Sequence, residues 1–167
     1  PFDYESLNFL CDIETNIIKV SSFDLTNKTF LEHISKTNKT IIISTGMGKL
    51  NEINDAFKTL SKNTNNIIIL HCISSYPTQE QEASLANITE LKNNFKDVII
   101  GQSDHTNDIK VPLYAVALGA RVIEKHYMIN KDDDCIDAPV SISENQMLNL
   151  VTEIRKLEKI IGRPVYG

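Results

Sequence analysis

The sequence predicts an α/β fold in which about five parallel strands alternate with helices. Short apolar runs, most of them unbroken Ile and Val, recur along the 167 residues at intervals with room for one helix each. Amphipathic segments with a helical repeat fill those intervals. No linker, repeat or low-complexity stretch interrupts the series, so residues 1–167 read as a single domain.

The strand runs are 16–20, 40–43, 66–70, 98–100 and 121–123. Continuous β-branched runs of this length suit parallel strands covered on both faces. A helix precedes the first strand. Segment 51–60 places Ile53, Phe57 and Leu60 on one helical face, and segment 85–95 does the same with Leu85, Ile88, Leu91 and Phe95. Segment 109–118 is nearly apolar, which predicts a largely buried helix ended by Gly119. Ser143 and Gln146 form a capping box. The helix it opens should turn Met147, Leu150, Ile154, Leu157 and Ile161 inward and stop before Gly162. This order fits either an open doubly wound sheet or part of a (β/α)8 barrel. No glycine-rich nucleotide fingerprint follows any strand.

Composition narrows the function. A formal charge of −5, with basic residues spread along the chain, leaves no footprint for nucleic acid or an anionic membrane. No apolar run approaches the roughly 20 residues of a membrane span. Cys11, Cys72 and Cys135 are odd in number and far apart, which suits a reducing cytoplasm.

The chemistry gathers where each strand run ends. The first leads into Lys19, Ser21, Ser22 and Asp24, the second into Ser44 and Thr45, and the third into His71, Ser74 and Tyr76. The fourth leads into Gln102, Ser103, Asp104 and His105, and the fifth into Glu124, Lys125 and His126. In a barrel, that carboxyl rim holds the active site. Either histidine alone would read as satisfying a backbone carbonyl. Two on neighbouring strand ends can share one metal ion, with Asp104 and Glu124 nearby as further or supporting ligands. Ser22, Ser44, Ser74 and Ser103 could each cap a helix. Four on one rim beside Lys19 instead suit a phosphate cradle.

These segments resemble, in order, the motifs of the sialic acid synthase family. They are 19–27 (KVSSFDLTN), 43–47 (ISTGM), 70–77 (LHCISSYP), 101–106 (GQSDHT) and 123–126 (IEKH). The resemblance implies a partial (β/α)8 TIM barrel. It also implies condensation of phosphoenolpyruvate with an N-acetylmannosamine-type amino sugar, giving a nine-carbon acid and phosphate. His105 and His126 would then bind a divalent metal, most often Mn2+, with Mg2+ or Co2+ as alternatives. Lys19, Ser22, Ser44, Ser74 and Ser103 match phosphoenolpyruvate contacts, and Phe2 lines that pocket. Tyr76 and Asp137 match sugar-side positions, and Asp24 an acid or base near the sugar. Asp24 stands where many members have glutamate, Phe23 replaces a common glycine, and Cys135-Ile136 replace Gly-Pro. These departures bear on the acceptor sugar.

Five strands are fewer than the eight of a barrel. The resemblance therefore implies the C-terminal part of that barrel, without the antifreeze-like domain, from a full-length homodimer. An open part-barrel alone is expected to be poorly stable or to self-associate. A Schiff-base aldolase using Lys19 or Lys125 is the competing enzyme class. A phosphate-binding fragment without turnover is the non-enzymatic alternative.

Overall fold

The computed structural model describes residues 1–129 and 135–165. Helix α1 (Tyr4–Asp12) begins at Asp3, whose carboxylate accepts from the Ser6 amide. Then follow β1 (Ile17–Val20), α2 (Lys28–Ser35), β2 (Thr40–Ser44), α3 (Leu50–Leu60), β3 (Ile67–Cys72), α4 (Ala86–Asn94), β4 (Ile99–Asp104), α5 (Lys110–Ala117) and β5 (Ile123–Lys125). A short ladder of β6 (Tyr127–Met128) and β7 (Ile142–Ser143) precedes α6 (Glu144–Ile161). The Ser143–Gln146 capping box opens α6 as expected.

The five long-range strands pair in chain order, all parallel, as a curled half-barrel. The partial barrel is therefore the closure adopted. In the strands, Ile18, Val20, Ile41, Ile43, Ile67, Ile69 and Ile100 point to the helix side. There they meet Phe30, Leu31 and Ile34 of α2, Ile53 and Leu60 of α3, and Ile88 and Leu91 of α4. This is one contiguous core, and its fully buried isoleucines each contribute about 1.5–3 kcal/mol by leaving water. Among the described residues no helix is long and apolar enough to cross a membrane.

Four local expectations change. Strands β3 and β4 run on to Cys72 and Asp104, so their polar tips belong to the sheet rather than to the loops after it. Strand β5 starts two residues later than its apolar run and ends at Lys125. Helix α5 buries only the stripe of Val111, Pro112 and Ala115, leaving Tyr114 and Leu118 exposed. Helix α6 buries Leu150 fully, Met147, Ile154 and Leu157 in part, and leaves Ile161 exposed. A groove of about 780 Å³ between α5 and α6 is lined by Leu118, Met147, Ile154 and Ile161, which the facing helix does not fully cover.

Candidate active site at the carboxyl rim

Alternation along the strands decides which polar residues face the barrel interior. Cys72, Ser103 and Glu124 stand side by side in the register of β3, β4 and β5, on the face opposite the helix-side core. Ser44 lies one rung earlier on that face, level with Leu70 and Gly101. Lys19 sits on it too, opposite Ile42.

Three groups of side chains form there. In the first, the Gly46 amide donates to Ser22 Oγ at 3.0 Å. A Cβ on Gly46 would stand 2.1 Å from Ser74 Oγ, 2.8 Å from Ser22 Oγ and 3.2 Å from Cys72 Sγ. The loops after β1, β2 and β3 therefore converge on a position only glycine can occupy without displacing the hydroxyls. The buried Ser44 hydroxyl has no hydrogen-bond partner among the described residues. An orphaned buried hydroxyl costs about 1–3 kcal/mol, so it is a donor waiting for an acceptor.

In the second group, Ser103 Oγ donates to Glu124 Oε1 at 2.6 Å, and Lys19 Nζ lies 3.4 Å from the same oxygen. In the third, the rings of His105 and His126 have centroids 5.3 Å apart. Tyr76 stacks on His105 at 4.0 Å and meets His126 edge-on at 5.8 Å. Burial, then nearby Cys72 and carboxylates, raises the Tyr76 hydroxyl pKa. Asp137 Oδ2 lies 3.5 Å from His126 Nδ1.

The donor set fits a divalent metal. His105 Nδ1 is 2.8 Å from the Ile73 carbonyl. A proton held there leaves Nε2 as the free lone pair, the usual way a ligating imidazole is oriented. Burial pushes the His126 pKa down, and His105 adds to that against the pull of Asp137. Both effects favour the neutral imidazole that binds metal. Among the described residues no cluster of three or more His, Cys, Asp and Glu surrounds a common point. The two rings would therefore share an ion with oxygens from substrate or water.

Other positions fall elsewhere. Asp104 and Lys125 turn to the helix side and pair at 2.7 Å, 2% and 1% exposed. This corrects two expectations: the Asp104 carboxylate is turned away from the histidine rings and cannot ligate beside them, and Lys125 is not an available Schiff-base amine. Asp24 is buried within its own turn, where it accepts from Asn27 Nδ2 at 3.2 Å and Ser21 Oγ at 3.4 Å. Phe2 precedes α1 and is 71% exposed, with no ring pair or hydrogen bond to the three groups among the described residues.

The NeuB family model matches residues 1–166. The chain belongs to the NeuB family. It is 42% identical to an N,N'-diacetyllegionaminic acid synthase of Campylobacter jejuni, over 97% of this chain and 49% of that protein. It is 31% identical to the human N-acetylneuraminate-9-phosphate synthase, over 97% of this chain and 45% of that one. The NeuB chain thus spans about half the length of the curated relatives it matches. In structure it superposes on a sialic acid synthetase of Leptospira borgpetersenii, solved with citrate, at a TM-score of 0.96 and 38% identity. That match covers 100% of this chain and 58% of the other.

Two residues of this NeuB site, Cys72 and Gly46, carry no role in the sequence reading, and a third, Glu124, expected as a further or supporting metal ligand, pairs with Ser103 and Lys19 instead. Glu124 was legible by parity, since it shares a strand face with His126 two residues on. Cys72 shares the parity of Ser74 in the same way. Gly46 carries no such signal, because its role depends on three loops meeting.

Proposed function

We propose that this chain forms the phosphoenolpyruvate- and metal-binding part of a nonulosonate synthase. The reaction joins phosphoenolpyruvate to the open-chain aldehyde of an N-acetylated amino sugar. The observation that carries the reading is the spatial junction of the hydroxyl cradle with the histidine pair: Cys72 Sγ, against Gly46, lies 3.9 Å from His105 Nδ1. The names of the relatives support the product class. Two of them, at 42% and 36% identity, are diacetyllegionaminic acid synthases, which makes a diacetamido sugar the first acceptor to try.

Lys19, Ser22, Ser44, Ser74 and Ser103 would hold the phosphate and carboxylate of phosphoenolpyruvate, with the Lys19 ammonium offsetting its charge. Glu124 anchors Lys19 and Ser103, which fixes the depth of the substrate in the half-barrel. His105 and His126 would hold the divalent metal, whose chemistry is to polarise the sugar aldehyde. Tyr76 and Asp137 border that position and would orient the sugar. Carbon 3 of phosphoenolpyruvate bonds to the aldehyde carbon, and water adds at carbon 2. The bond from carbon 2 to the phosphate oxygen breaks and inorganic phosphate leaves. Most of the protein's contribution is positioning of the two substrates.

The test is phosphate release by the full-length protein with phosphoenolpyruvate and a panel of acetamido sugars. The synthase reading expects activity lost to a chelator and restored by Mn2+, with a nine-carbon acid identified by mass. Chelator-resistant turnover that borohydride traps on a lysine would instead make it an aldolase.

A further inference from the structure

His105 and His126 each lie one residue beyond the ladder that joins β4 to β5. The last paired rung of that ladder is Asp104 opposite Lys125. Backbone pairing therefore stops just short of both imidazoles, and something else must fix their spacing. Directly behind them, on the helix side, is the only ion pair among the described residues in which both side chains are nearly fully buried. The Asp104 carboxylate accepts from Lys125 Nζ at 2.7 Å, from Thr106 Oγ1 at 2.8 Å and from Gln102 Nε2 at 3.3 Å. Lys125 also donates to the Thr106 carbonyl, on the far side of His105.

The network thus encloses residues 104–106 of one strand end and ties them to the residue before His126. Burying two charges is costly, and an apolar pair of the same volume often stabilises a fold as well or better. Two charges joined by directional hydrogen bonds, three to the Asp104 carboxylate and two from Lys125, instead favour one geometry, which an apolar contact does not. We propose that the Asp104–Lys125 ion pair is a positioning device that sets the separation of the His105 and His126 imidazoles for a shared divalent cation. It acts through the backbone and touches neither metal nor substrate. The inference rests on the reading of the two histidines as ligands.

The test is Mn2+ binding to the full-length protein, read from the electron paramagnetic resonance signal of free Mn2+, with thermal unfolding followed alongside. Asp104→Asn combined with Lys125→Met removes both charges at once and leaves no unpaired buried ion. The expected result is a folded protein whose Mn2+ dissociation constant rises about tenfold or more, the usual scale for disturbing the support of a ligand. A pair that only stabilised the fold would shift the melting temperature and leave that constant unchanged, and this result overturns the proposal. Should the double variant not fold, Lys125→Arg keeps the charge but sets a wider head group between Asp104 and Thr106. Several-fold weaker Mn2+ binding in folded K125R supports the device, and parental affinity overturns it. If the unaltered protein binds no Mn2+, the histidine reading fails as well. If it binds Mn2+ and the variants bind equally, only the positioning role fails.

Discussion

The imidazoles of His105 and His126 face each other across the ends of adjacent parallel strands, their centroids 5.3 Å apart. Neither is a general feature of a strand end. His105 is oriented by the Ile73 carbonyl and stacked against Tyr76, and His126 is approached by Asp137. The pair borders the cradle of hydroxyls around Gly46, with Cys72 Sγ between them at 3.9 Å from His105 Nδ1, and the proposed function rests on that junction.

Glu124 accepts from both Ser103 and Lys19, so Glu124→Gln removes the charge that holds the ammonium in place. Steady-state kinetics of the full-length protein are expected to show a KM for phosphoenolpyruvate raised about tenfold, the scale of one charge-assisted hydrogen bond. An unchanged KM would mean that Lys19 is positioned by something else.

Gly46→Ala places a methyl group 2.1 Å from Ser74 Oγ and 2.8 Å from Ser22 Oγ. The hydroxyls must move, while the core isoleucines lie on the other face of the sheet. Calorimetry is expected to find phosphoenolpyruvate binding weakened at least tenfold, with a melting temperature close to that of the parent.

Tyr76→Phe keeps the ring on His105 and Tyr76→Ala removes it. If stacking is what orients His105, Mn2+ affinity should survive the first change and fall several-fold in the second. Equal loss in both variants would assign the effect to the hydroxyl instead.

His71 points to the helix side, where its Nε2 lies 2.7 Å from the Ala83 carbonyl and burial lowers its pKa. The unfolded chain therefore takes up this proton first on acidification. The stability that neutral His71 provides is full above about pH 6.5 and is lost as the pH falls through the depressed folded value. Urea unfolding from pH 8 to pH 5 is expected to show that decline, and His71→Gln to flatten it.

Much of the fold was legible because the strands are written in unbroken Ile and Val, which few other elements tolerate. Helix coverage was less so: the apolar 109–118 segment looks buried all round, yet α5 packs mainly on β4 and α6 and leaves Tyr114 and Leu118 facing outward. At the site, the residue types at the strand ends were visible but their direction was not applied. Period-two alternation separates Glu124 and His126 from Lys125, and Ser103 and His105 from Asp104. Using it would have put Glu124 with Lys19 and Ser103 and removed Lys125 as a free amine. The convergence on Gly46 joins residues 22, 46 and 74, and no local pattern announces such a meeting.

The most direct test of the shared cation position is anomalous diffraction at the manganese edge from crystals of the full-length protein grown with Mn2+. The account predicts one strong peak in direct coordination contact with ring nitrogens of both His105 and His126. A peak bound by neither ring, or none in crystals whose His105 and His126 remain ordered and accessible, would contradict it.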